Sequence, residues 1–68
     1  MIKKQIGENA GIIWRALNEK HEMGILELIE VTHLKKNEIL FALGWLSKEN
    51  KVYFFENEKE YRICLIEN

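Results

Sequence analysis

The chain has no proline and no aspartate, and it carries one cysteine, one serine and one threonine. Each shortage removes a class of function. Ser47, Thr32, Cys64, His21 and His33 are the whole supply of aliphatic hydroxyl, thiol and imidazole groups, so a catalytic triad would need Glu as its third member. His21 next to Glu22, and His33 five residues before Glu38, match no metal-ligand spacing. No glycine-rich loop lies between a strand and a helix to cradle phosphate, because Gly7 and Gly11 fall within helical periodicity. Neither an enzyme nor a metal, cofactor or small-molecule substrate is expected. Cys64 has no partner for an internal disulfide and reads as a strand-packing residue. No apolar run approaches the ~20 residues of a membrane span, and no charged-then-apolar leader opens the chain. A cytoplasmic setting is the expectation.

An excess of positive charge is also missing. Ten Lys and Arg face eleven Glu, a formal charge of -1 with the signs interleaved. Nucleic-acid binders usually carry clustered positive charge, because phosphate neutralisation and counterion release supply much of their affinity. The only concentrated pairs are Lys35-Lys36 and Lys3-Lys4.

Apolar residues are plentiful, at 47% of 68 positions. That suits one small domain over residues 1–68. A chain of this size buries only about 60% of the surface its unfolded form exposes. Leftover apolar surface would favour self-association.

A helical signal runs from about Lys35 to Lys48 or Glu49. There Ile39, Ala42, Leu43 and Leu46 stack on one side. Upstream, Ile2, Ile6, Ala10, Ile13, Trp14 and Leu17 recur at helical spacing between Ile2 and Lys20. Gly7 and Gly11 weaken this first helix. Either it starts near a capping Asn9, or the glycines admit another element closely; a long helix frayed at its beginning fits best. Ile25, Leu28 and Ile29 mark a short second helix ending near Val31 or Thr32, and Glu22 to Ile25 has room for a minimal strand. Lys51 to Glu56 and Glu60 to Ile66 read as strands joined by a turn at Asn57-Glu58-Lys59. Three helices followed by a β-hairpin wing, with a short third strand, make an α+β winged helix-turn-helix. The expected core is Ile6, Ile13, Leu17, Leu28, Ile29, Leu34, Ile39, Leu43, Leu46, Val52 and Ile63.

Ala42-Leu43-Gly44-Trp45-Leu46 followed by Glu49-Asn50-Lys51-Val52, with Asn9-Ala10-Gly11 leading to Trp14 and Leu17, resembles a family of small bacterial winged-helix domains of unassigned function. The resemblance spans nearly the whole chain, and Gly44-Trp45-Leu46 is its most distinctive piece. It implies a winged helix-turn-helix and, by analogy, a DNA-binding, transcription-associated role. Fold analogy alone does not fix function, since winged helices also dock proteins.

Two sets of candidate residues follow. Read as a DNA binder, the third helix would enter the major groove with Lys35, Lys36 and Asn37, and Lys3 and Lys4 would touch the backbone. Leu40 and Phe41 suit base reading poorly. The wing tip, Glu56-Asn57-Glu58-Lys59-Glu60, would be repelled by phosphate. Weak, strongly salt-dependent binding to double-stranded DNA is what survives. Read as a protein-interaction module, the domain would form a homodimer or take a protein partner through the third helix and wing. Leu40, Phe41, Trp45, Tyr53 and Phe55 would then form the contact surface. The bland alternative has Trp14 and Trp45 closing one core together.

Overall fold

The computed structural model describes residues 3–66. Its elements run α1 (Lys3–Lys20), β1 (Glu22–Gly24), α2 (Ile25–Thr32), α3 (Lys36–Lys48), β2 (Val52–Glu56) and β3 (Tyr61–Leu65). The strands form one antiparallel sheet in the order β1-β3-β2. The minimal strand expected near Glu22 is therefore present. It joins the hairpin through β3, with Met23 opposite Ile63.

The core is built where the three apolar stripes meet. Ile13 and Leu17 from α1, Met23 from β1, Leu28 from α2, Ile39 from α3 and Ile63 from β3 are the large side chains that lose essentially all exposure. Each contributes roughly 1.5–3 kcal/mol through burial. Ala10 and Ala42 are also buried, in keeping with helices that run close together. The expected core needs three corrections. Ile29 and Leu34 are half-buried at its margin, and Ile6 is half-buried on α1. Ile2 lies outside the described residues.

Local chemistry sets the joints. Thr32 donates its hydroxyl to the Leu28 carbonyl at 2.6 Å and accepts the Leu34 N–H at 3.2 Å. His33 ends α2 in the left-handed region at φ 61 and returns its N–H to the Ile29 carbonyl. The Glu38 carboxylate then accepts the Lys35 N–H at 2.9 Å, which satisfies one of the donors left open where α3 begins. At the hairpin tip Asn57 Oδ1 accepts the N–H groups of Lys59 and Glu60, closing the turn from its own side chain.

Asn9 is no cap. It lies inside α1, 6% exposed, and its Nδ2 has no hydrogen-bond partner among the described residues. The glycines of α1 do not mark a close approach either. A Cβ at Gly7 would meet nothing within 4 Å, and one at Gly11 would meet only the Arg15 guanidinium, at 3.7 Å.

Candidate binding surface

One face of the domain is apolar and uncovered. α2 and α3 on one side and the hairpin on the other leave a groove of about 730 Å³ between them. Leu26 forms one edge, Leu40 and Gly44 the wall from α3, and Phe54 and Tyr61 the wall from the hairpin. The polar groups that line it include Lys36 and Glu60, of opposite charge. Leu26 is 71% exposed, Tyr61 58%, Leu40 49% and Phe54 44%.

Each of these exposures has a local cause. α2 is apolar at Ile25, Leu26, Leu28, Ile29 and Val31, more than one side of an eight-residue helix can bury, and Leu26 and Val31 are left outside. Leu40 follows the buried Ile39, and the turn of about 100° per residue carries it off the core face. Gly44 sits four residues on, one turn along the same face. A Cβ there would meet nothing within 4 Å.

The hairpin shares its aromatics between both faces. Val52 opposes Leu65 and Phe54 opposes Ile63, so these four share the face toward the helices. Tyr53 and Phe55 point the other way with Cys64 and Arg62. Cys64 is buried beneath this outer face, as a packing residue should be. Its side-chain hydrogen bond with Tyr53 raises the Tyr53 phenol above its ordinary pKa. Arg62 donates Nε to Glu22 and Nη1 to Glu60, both at 2.9 Å, tying β1 to the base of the wing. The two carboxylates hold the guanidinium still more firmly in its charged form. Glu60 fits beside Arg62 because Gly24 has no side chain: a Cβ there would lie 2.5 Å from Glu60 Oε1.

The residues expected to meet DNA divide between two places. Lys35, Lys36 and Asn37 are exposed at the start of α3, and Lys36 also lines the groove. Lys3 and Lys4 are exposed in the first turn of α1. Gly7 to Arg15 of α1 run beside Trp45 to Lys51, at the far end of α3. Lys3 and Lys4 precede that stretch of α1 in sequence.

The residues expected at a protein interface also separate. Leu40 belongs to the groove, whereas Phe41, 59% exposed, stands outside it. Tyr53 and Phe55 lie on the outer sheet face. Trp45 is half-buried against the core, with the Lys48 ammonium 5.4 Å from its ring centre. Trp45 and Trp14 line an open trough between α1 and α3, and Trp14 is 37% exposed, so the two tryptophans do not close a core together. Leu26, Phe54 and Tyr61 are the surface residues that the sequence reading missed. The signal for Leu26 was the excess of apolar residues on α2. For Phe54 it was the run Tyr53-Phe54-Phe55, which leaves no polar face.

Three helices, a helix-turn-helix joint and a hairpin wing on a three-stranded antiparallel sheet define a winged helix-turn-helix. The chain belongs to the winged helix-turn-helix domain family DUF2582, whose model matches residues 1–65. It is 32% identical over 63 residues to the uncharacterized protein MJ1608 of Methanocaldococcus jannaschii, covering 90% of each chain. It also resembles the solution NMR structure of protein BT2368 from Bacteroides thetaiotaomicron. That match has a TM-score of 0.87 and 38% identity, over 96% of this chain and 79% of the other.

Proposed function

We propose that this winged helix is a protein-interaction domain whose contact surface is the apolar groove between α2, α3 and the wing. The observation that carries the reading is that Leu26, Leu40, Phe54 and Tyr61 surround a concavity which the chain itself does not fill. Contiguous exposed apolar surface of this kind is costly to leave in water and marks association sites. Gly44 supports the reading independently. A glycine in mid-helix costs roughly 1 kcal/mol relative to Ala, and here it keeps the α3 wall of the groove open.

Double-stranded DNA is the second reading, favoured by the exposure of Lys35, Lys36 and Asn37 at the start of α3 and by the fold. The acidic wing weighs against it. Binding would rest on few lysines, and would be weak and salt-dependent.

One experiment separates the two. A photo-crosslinking amino acid placed at Leu26 or Leu40 should give protein adducts in cells, whereas the same group at Asn18, exposed on α1, should not. In parallel, amide NMR of the labelled domain with a mixed-sequence duplex at low salt should show no shifts at 35–37. Equal adduct yields at all three positions would sink the groove. Salt-sensitive duplex shifts that disappear in Lys35→Glu/Lys36→Glu would put DNA in its place.

A further inference from the structure

We infer that one partner of this domain is a second copy of itself, joined edge to edge through β2 into a six-stranded antiparallel sheet. The inference rests on the protein-interaction reading and adds a surface to it.

β2 is an edge strand, and among the described elements it packs only against β3 and α3. Which backbone groups it leaves open follows from the ladder. Ile66 donates its N–H to Lys51 and Asn57 donates its N–H to Glu60. Hydrogen-bonded pairs alternate in an antiparallel ladder, so Tyr53 and Phe55 also turn their N–H and C=O toward β3. Val52, Phe54 and Glu56 turn theirs outward. A strand of this kind is normally blunted by lysine, proline or a bulge. Between Lys51 and Glu56 this one reads Val-Tyr-Phe-Phe, with Tyr53, Phe54 and Phe55 all exposed.

The same stretch is complementary to itself. A two-fold axis through Phe54 would hydrogen-bond Phe54 to its copy and place Val52 opposite the partner's Glu56, which uses all the outward groups. Tyr53 would oppose the partner's Phe55, and the reverse, grouping four rings on the outer face. The Phe54 pair would meet on the face toward the helices. Symmetry fixes the direction: two copies of one edge strand joined about a two-fold axis through Phe54 run antiparallel, and each uses the same outward groups. Aromatic surface covered in this way amounts to on the order of 500 Å², below the size of standard interfaces, so weak, concentration-dependent association is expected.

The test is sedimentation equilibrium of the whole chain from about 10 μM to 1 mM, with amide hydrogen exchange across the same range. A concentration-dependent dimer is expected, with the amides of Val52, Phe54 and Glu56 gaining protection as it forms. Those of Tyr53 and Phe55, already bonded to β3, should change less. Tyr53→Lys should weaken the dimer at least roughly tenfold, because it sets an ammonium opposite the partner's Phe55 at both ends, whereas Tyr53→Phe should keep it. Tyr53 is exposed, so the fold is expected to survive. A monomer throughout, protection elsewhere, or a Tyr53→Lys dimer as tight as the wild type would overturn the inference. In those cases groove adducts of another mass would leave the broader reading standing. Equal adduct yields at Leu26, Leu40 and Asn18 would sink the broader reading whatever the mass.

Discussion

Gly44→Ala tests the groove and the helix that bears it in a single residue. Gly44 lies well inside α3, its φ is not positive, and the position of an added Cβ is open for 4 Å around. No strain or clash opposes the change. The helix-propensity difference of roughly 0.8–1 kcal/mol should then appear almost whole as added stability. For a 68-residue domain the unfolding entropy is about 0.14 kcal/mol/K. Thermal unfolding followed by circular dichroism should show Tm rising by roughly 6–7 °C. The methyl also enters the groove, so crosslinking through position 40 should fall while stability rises. Gly7→Ala provides the comparison, since its added Cβ also meets nothing and it stands away from the groove. It should raise Tm by a smaller amount, being nearer a helix end, and leave the crosslinking unchanged. If Gly44→Ala lowers Tm or leaves it alone, that space is not open in solution and the reasoning fails. If Tm rises and crosslinking holds, the helix argument stands and the groove's need for a bare glycine does not.

Three other perturbations probe the frame. Asn9→Leu should stabilise the domain by about 1 kcal/mol in urea denaturation, because it removes a buried amide donor without a partner at little change in volume; a loss of 1 kcal/mol or more would mean that the amide is satisfied. His33→Gly should add about 0.5–1 kcal/mol by relieving a left-handed backbone at the end of α2, seen as a higher urea midpoint at unchanged slope. Lys20 donates to Glu27 at 3.0 Å and lowers the Glu27 pKa from its ordinary 4.5. The resulting stability is present above that ordinary value and is lost as pH falls through the lowered one. The advantage of the wild type over Glu27→Gln should therefore shrink on acidification from about pH 7 to pH 3, and parallel stability curves would refute the linkage.

Much of the fold was legible because its elements carry unambiguous periods. Ile39, Ala42, Leu43 and Leu46 mark one side of α3 and are all buried, and the three-residue turn at Asn57 is closed by that residue's side chain. The surface was less legible, for three physical reasons. On α2 and β2 nearly every residue is apolar, so periodicity cannot say which face finds cover; that depends on how far α3 extends over the hairpin. Met23 follows the break at His21-Glu22 and shows no pattern of its own, yet it is fully buried because β1 pairs with β3. Phe41 and Trp45 share a helix flank in sequence, but the contact of α3 with α1 draws Trp45 toward the core and leaves Phe41 in water.

The strand order bears on how this domain is made. β3 occupies the centre of the sheet, yet among the described elements it is the last to leave the ribosome. Its Arg62 meets Glu22 across 40 residues. Until it arrives β1 has no neighbouring strand, β2 has two bare edges, and the buried Ile63 is missing from beneath the helices. Helices can form early from local contacts, but the sheet must wait for a closure that spans most of the chain. Before β3 pairs, Tyr53, Phe54 and Phe55 stand on a strand with no neighbour. For a sequence so short of gatekeeping residues, each delay in that closure lengthens the exposure of an aromatic strand.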